Sequence, residues 1–216
     1  DDEVIVNFSL LYAYAPLLKE EEKKYENFSK SIRRRAATIG GHNMDDYPLK
    51  MHVFNRARLI KNSKNRIPYG VDLIQKYRRE SWIVFTENKK QAKEFNKIIN
   101  TKGFKSALYN TDLDSTERLE NLNKFKKADL NVLVTCTALD EGFDMPEADG
   151  ALILSASSSK RQRVQRMGRV LRITENKPNA LIVTVYSSKT EFDKLMEEAK
   201  RYHKEGVPVS WKRQDR

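Results

Sequence analysis

Thirteen consecutive residues, 160–172, carry the strongest chemical signal in the sequence. The run KRQRVQRMGRVLR contains six cations and no acid. In a helical conformation Arg161, Gln165, Arg169 and Arg172 fall within an arc of about 80°, while the apolar side chains occupy a separate arc. A solvated basic helix face normally includes Glu or Asp as i,i+4 partners. A row of guanidinium groups with no partner in the run therefore predicts contact with an external anion.

The composition of the whole chain agrees with an anionic partner. Its 216 residues include 41 Lys and Arg against 30 Asp and Glu, which gives a formal charge of +11. Such a balance favours nucleic acid or an anionic membrane surface. No apolar run approaches the ~20 residues needed to span a bilayer, so we predict nucleic acid and no membrane. The chain opens with Asp1-Asp2-Glu3 and shows no signal peptide, and we expect it to be part of a longer protein.

The few residues capable of redox or metal chemistry add no second site. Cys136 is the only cysteine, so an internal disulfide is excluded and an intracellular compartment, cytoplasmic or nuclear, is expected. Cys136 ends an apolar run, which favours a small buried residue over a nucleophile. His42, His52 and His203 lack metal-ligand spacing, and we predict no metal site.

Alternating strands and helices from Ser81 onward indicate how residues 160–172 are positioned. Helix caps are predicted at Asn88 with Gln91, at Asp114 with Glu117, and near Thr190. Leu119, Leu122 and Phe125 are predicted to face inward from the second of these helices. Predicted strands cover 82–86, 107–109, 132–135, 151–154 and 181–186. This alternation predicts an α/β fold with a mostly parallel sheet and helices on both faces.

Residues 1–80 have a different texture. Short strands are predicted at 4–6 and 10–15, and apolar residues then recur at helical spacing. Pro16 suits a helix start, Gly40 to Pro48 reads as a loop, and Pro68 kinks or restarts a helix. We therefore divide the chain into residues 1–80, a strand with a helical extension or accessory element, and residues 81–216, one α/β domain.

Four segments of this domain resemble, in order, the motifs of superfamily 2 helicases. QRMGRVLR at 165–172 is similar to motif VI, and VLVTCTALDEGFDMP at 132–146 is similar to motif V with its G-x-D core. WIVFTE at 82–87 resembles motif IV, and TERLENLNKFK at 116–126 resembles the segment that follows it. The matching span of about 81–186 identifies residues 81–216 as a second RecA-like helicase domain.

Within the superfamily, LDEGFD at 139–144 and the serine-rich run at 155–159 look most similar to XPB-like and restriction-type DNA helicases. Motif VI begins with Gln165, where DEAD-box RNA helicases usually have His. Cys136 stands where many relatives have Thr. The resemblance thus implies an ATP-dependent helicase or translocase that acts on DNA.

The resemblance also implies a role for individual residues. Arg169 and Arg172 would be arginine fingers and Gln165 a catalytic polar contact. Gly142 and Asp144 would touch ATP. Thr86 and Thr137 would offer hydroxyls to the nucleic-acid backbone, although both also suit ordinary strand ends or caps.

One part of the ATPase site is absent from the sequence. None of the eight glycines is followed by Lys, so the chain has no phosphate-binding loop of the G-x-x-x-x-G-K-[ST] type. ATP with Mg²⁺ is therefore expected to be held mainly by a preceding RecA-like domain, which would be this chain's protein partner. We expect the chain to be inactive alone. Two alternatives remain open: a non-catalytic nucleic-acid-binding RecA-like module, and one half of an RNA helicase.

Overall fold

Seven strands form one parallel sheet in the computed structural model, which describes residues 8–136, 147–155 and 180–214. The sheet order is β3-β4-β2-β5-β6-β1-β7, and every neighbouring pair is parallel. The strands are β1 Phe8–Tyr14, β2 Trp82–Thr86, β3 Ser106–Tyr109, β4 Val132–Cys136, β5 Gly150–Ile153, β6 Ala180–Tyr186 and β7 Val209–Arg213. The described helices are α1 Lys19–Thr38, α2 Tyr47–Lys61, α3 Arg66–Lys76, α4 Lys89–Thr101, α5 Ser115–Lys126 and α6 Lys189–Lys204.

Helices cover both faces of the sheet, as the alternation of elements predicted. Successive side chains of a strand point to opposite faces, and the two buried clusters divide in this way. Trp82 and Val84 of β2 pack with helices α3 and α4, whereas Ile83 and Phe85 pack with α5 and α6. Central parallel strands are buried on both faces, which explains why they are almost wholly apolar.

Packing crosses the sequence division at residue 80. Strand β1 lies inside the sheet between β6 and β7, and α3 contributes Ile67, Leu73 and Ile74 to the core. Helices α1 and α2, by contrast, contribute no residue to the two buried clusters that cover the sheet. They pack on each other around a small core of Ile32, Ala36 and Leu49. We call residues 19–61 the helical hairpin.

Several local predictions need correction. The predicted strand at 4–6 lies outside the described residues. Helix α1 begins at Lys19, after Pro16 rather than at it. The cap of α6 is Ser188, whose hydroxyl accepts a hydrogen bond from the Glu191 amide, and not Thr190. Leu119 is 57% exposed instead of inward, because α5 lies over edge strand β3 and its neighbour β4, where little sheet is left to cover.

Strand β7 was not predicted at all. Three of the five residues in its sequence, VSWKR, are polar, and the strand is only partly buried, so it carries no clear strand pattern. It forms an edge of the sheet beside β1, and edge strands commonly carry charged residues. Within the described residues, no helix combines the length and the apolar character needed to cross a bilayer.

Candidate functional site at the carboxyl edge of the sheet

The carboxyl ends of β4, β2 and β5 lie side by side. These three strands are neighbours in the sheet, with Thr86 opposite Cys136 and Phe85 opposite Ile153. The segment that resembles motif V continues from the end of β4, and the segment that resembles motif VI follows β5. In open parallel sheets, ligands bind at this edge. The described strand ends therefore place the end of motif IV beside the point where motif V leaves β4 and beside the end of β5, the last described strand before motif VI in the sequence.

Most of the predicted site residues are not among the described ones. Thr137, Gly142 and Asp144 belong to residues 137–146, and Gln165, Arg169 and Arg172 belong to residues 156–179. Both ranges lie outside the described residues. The roles of these six side chains stay predictions.

Thr86, the remaining predicted site residue, ends β2 and is 3% exposed. Its hydroxyl lies 3.1 Å from the Thr135 carbonyl oxygen and 3.2 Å from that of Asn88. A hydroxyl has a single proton to donate, and here both neighbours are backbone acceptors. A bond from Thr86 to a phosphate would require the hydroxyl to turn away from them, so its contact with nucleic acid stays a prediction.

The turn after β2 is joined to the base of the helical hairpin. Asn88 caps α4 by accepting from the Gln91 amide at 3.0 Å, as predicted. The Gln91 side-chain amide donates to the Lys61 carbonyl at 2.8 Å. Lys61 forms an ion pair with Glu87 at 2.7 Å. The side-chain amide of Asn88 donates to Asn62 Oδ1 at 2.7 Å. The end of motif IV and the end of α2 are therefore held together.

Two lysines at the start of α4 meet an aspartate that follows β3. Lys89 and Lys93 of α4 both contact the Asp112 carboxylate, the second at 3.3 Å. Hydrogen bonds from Lys89 and then Lys93 lower the pKa of Asp112 below its usual value. Two cations share one carboxylate, so these three side chains together carry a net charge of +1. Such a charge suits a phosphate backbone.

Arg66 is a buried residue at this edge that sequence reasoning missed. Its Nη1 donates to the carbonyls of Leu154 at 2.8 Å and Val185 at 2.6 Å. Its Nη2 lies 2.8 and 2.6 Å from the two Glu191 carboxylate oxygens. A charged side chain is rarely buried fully without a partner. The sequence does indicate that Arg66 is buried, because its spacing to Gly70 and Leu73 places it on the apolar face of α3.

Comparison with known proteins identifies the family of the chain. Residues 65–174 match the family described as "Helicase conserved C-terminal domain". The chain is 28% identical over 202 residues to the DNA 3'-5' translocase XPB2 of Sulfurisphaera tokodaii, covering 86% of this chain and 44% of that protein. It is 28% identical over 166 residues to the ATP-dependent RNA helicase DBP3 of Ajellomyces capsulatus, covering 74% of this chain and 32% of that protein. The chain thus spans less than half of either relative.

Solved structures give the same fold. The C-terminal domain of the DEAD-box protein Dbp5 superposes with a TM-score of 0.59 at 19% identity, covering 70% of this chain and 85% of that domain. Saccharomyces cerevisiae Dbp5 bound to Gle1 and IP6 superposes with a TM-score of 0.63 at 15% identity, covering 99% of this chain and 43% of that one. The fold is therefore RecA-like. Since the family model covers more than half of the chain, the chain belongs to the helicase conserved C-terminal domain family, as a domain of a superfamily 2 helicase.

Proposed function

We propose that this chain is the C-terminal half of an ATP-dependent DNA helicase or translocase. It supplies arginine fingers and part of a single-strand track to a cleft that a preceding RecA-like domain completes. The observation that carries the proposal is the adjacency of the carboxyl ends of β4, β2 and β5, because motif IV lies on β2, motif V begins on β4 and motif VI follows β5 in the sequence. The family match over residues 65–174 supports it.

In this mechanism the chain's residues stabilise negative charge. Arg169 and Arg172 donate to the γ-phosphate as its terminal P–O bond breaks, and positioned cations lower the energy of such a transition state. Gln165 hydrogen-bonds the phosphate or the attacking water. Asp144 binds the ribose, and Gly142 allows close backbone approach. ATP and Mg²⁺ are held mainly by the preceding domain.

Closing of the cleft engages the fingers, and hydrolysis opens it again. Repeated closing and opening moves the two domains along one strand. Thr86 and Thr137 offer backbone contacts on this side, beside the basic corner formed by Lys89, Lys93 and Asp112. Phosphate contacts position a strand without reading its sequence, which is what a translocase requires.

DNA is favoured over RNA by the extent of similarity. The match to the protein named as a DNA translocase covers 86% of the chain, against 74% for the one named as an RNA helicase. Motif VI also begins with Gln165 rather than His. A labelled oligonucleotide titration across a salt series tests this choice. The logarithm of the binding constant for single-stranded DNA should fall linearly with the logarithm of the salt concentration, with a slope near −0.7 for each phosphate neutralised. Tighter binding of RNA of equal length would favour the RNA-helicase alternative.

The arginine fingers are tested in the intact protein, with its proposed first domain, by steady-state ATPase assays on single-stranded DNA. Arg169→Ala or Arg172→Ala should lower turnover by about 10³- to 10⁵-fold. The affinity for a fluorescent ATP analogue should stay within a few fold. Lys200→Ala, which removes one exposed charge on α6, is the control and should match wild type. An equal loss of turnover and ATP binding would point to a binding role instead.

A further inference from the structure

The corner between α2 and α3, residues 60–66, touches the carboxyl ends of three strands. It reaches the turn after β2 through Lys61 and Glu87. It reaches the turn after β6 through the hydroxyls of Ser63 and Ser187, 3.1 Å apart. It reaches the end of β5 through Arg66. One short stretch of chain thus joins the helical hairpin to the edge that carries the helicase motifs.

Arg66 closes the gap where β5 and β6 separate. The ladder between these strands ends at Ile153 opposite Thr184. The next carbonyl groups along each strand, those of Leu154 and Val185, both accept from Arg66 Nη1. The guanidinium therefore replaces the missing ladder at this point. It holds the backbone at Leu154, directly after the end of β5. Motif VI follows further along the sequence.

The remaining nitrogens of Arg66 are also occupied. Nε lies 2.9 Å from the Ile60 carbonyl oxygen and 3.1 Å from Ser63 Oγ. Nη2 faces Glu191, whose carboxylate in turn accepts from the Ser187 amide at 2.8 Å. The side chain is 0% exposed. Every nitrogen is engaged inside the chain, so Arg66 cannot itself bind ATP or nucleic acid through a free donor.

Helix α3 lies unusually close to the same point of β5. A Cβ atom added to Gly70 would lie 2.6 Å from Leu154 Cδ2 and 3.1 Å from Leu152 Cδ2. The absence of a side chain at Gly70 thereby allows α3 to pack closely against the Leu154 side chain, while Arg66 donates to the Leu154 carbonyl. Leu154 is fixed by α3 in two independent ways.

We propose that Arg66 is a positioning residue for the ATPase reaction, setting the point from which the chain continues toward Arg169 and Arg172. This inference rests on the proposed function, because it assumes that those arginines act on phosphate. Arg66 acts through the end of β5 and touches neither ATP nor DNA. Misplacement of a catalytic group by about 1 Å can reduce rates on the order of 100-fold.

The test uses the intact protein and two variants chosen to fold. Arg66→Met/Glu191→Met removes both charges of the buried pair, so that neither charge is left buried without its partner, while the Leu154 and Val185 carbonyls lose their donor. Arg66→Lys keeps the charge beside Glu191 but cannot bridge two carbonyls and a carboxylate with a planar fork. Arg35→Met/Asp46→Asn is the matched control, because it breaks the ion pair within the hairpin and retains a capping side chain for α2.

In both Arg66 variants kcat should fall by about tenfold to 100-fold, with KM for ATP and ATP-analogue affinity nearly unchanged. Hydrogen exchange of peptides covering residues 147–155 should become faster. The hairpin control should change neither kcat nor the hydrogen exchange of residues 147–155. If the double variant unfolds below the assay temperature, the kcat of Arg66→Lys alone tests the positioning role.

Arg169→Ala, assayed in parallel, separates the two levels of the proposal. If Arg169→Ala abolishes turnover while folded Arg66 variants keep wild-type kcat, the positioning role is wrong and the proposed function stands. If Arg169→Ala leaves turnover unchanged, the proposed function is wrong and the inference falls with it. Equal loss of kcat and ATP affinity in the Arg66 variants would also overturn a purely positioning role.

Discussion

The carboxyl edge of the sheet and the helical hairpin each contain an arginine–carboxylate pair in which both carboxylate oxygens accept, but the two pairs lie in different environments. At the edge, Arg66 and Glu191 have side chains that are 0% and 9% exposed. In the hairpin, Arg35 and Asp46 are 38% and 15% exposed. The first pair joins segments 125 residues apart, whereas the second joins residues 11 apart.

The difference shows how burial determines what an ion pair does. Charges taken out of water must be compensated fully, and Arg66 is surrounded by carbonyls and a carboxylate that compensate it. Arg35 can exchange Asp46 for water at little cost. The buried pair therefore couples distant parts of the fold, while the exposed pair serves one local turn.

The largest expected effect on stability comes from Arg66→Ala. This substitution leaves Glu191 buried without its partner and two carbonyls without a donor, so the free energy of unfolding should fall by about 3–5 kcal/mol. Urea denaturation followed by far-ultraviolet circular dichroism measures this value. Arg35→Ala should cause a much smaller loss. Equal losses for the two variants would refute the contrast between the regions.

A smaller effect is expected from Gly70→Ala in α3. Alanine normally stabilises a helix relative to glycine, but here the added methyl group would meet Leu154 Cδ2 at 2.6 Å. Overpacking of this kind costs about 1–3 kcal/mol. The same substitution in a Leu154→Ala background should cost less, because the clashing atom is gone. Equal cost in both backgrounds, measured by urea denaturation, would show that contact with Leu154 is not the cause.

The smallest effect is the pH dependence of the hairpin. The Arg35 guanidinium hydrogen bond, and then the Leu49 amide, lower the pKa of Asp46 from its usual 3.8 to about 2. A carboxyl whose pKa is lower in the folded state stabilises that state above its unfolded pKa. This stabilisation should be lost as the pH falls from about 4 to about 2. The Leu49 amide resonance reports it by nuclear magnetic resonance, and Asp46→Asn should remove that titration.

Local patterns predicted the sheet and its helices because each depends on neighbouring residues. The strands from β2 to β6 are short apolar runs between helix signals, and Asn88 and Asp114 cap helices as predicted. Ser188 was missed in favour of Thr190 because both residue types cap helices. Strand β7 was missed because its place is set by pairing with β1, about 200 residues away.

The sequence offered candidate site residues only where the motifs are contiguous, and the roles of those residues stay predictions. Residues 165–172 and 132–146 identify themselves by type and spacing. Arg66 and Glu191 could not be paired in this way, because their contact forms only when α3 and α6 meet at the ends of β5 and β6. Likewise, nothing in the sequence indicated that the Thr86 hydroxyl faces the carbonyls of Thr135 and Asn88.

The central claim is that this chain completes an ATPase site and does not form one alone. The most direct measurement is phosphate release from ATP by these 216 residues, with and without single-stranded DNA, beside the intact protein. We predict no turnover above background for the chain alone, because it lacks a phosphate-binding loop, and DNA-stimulated turnover for the intact protein. DNA-stimulated hydrolysis by the pure chain, lost on Arg169→Ala, would contradict this account.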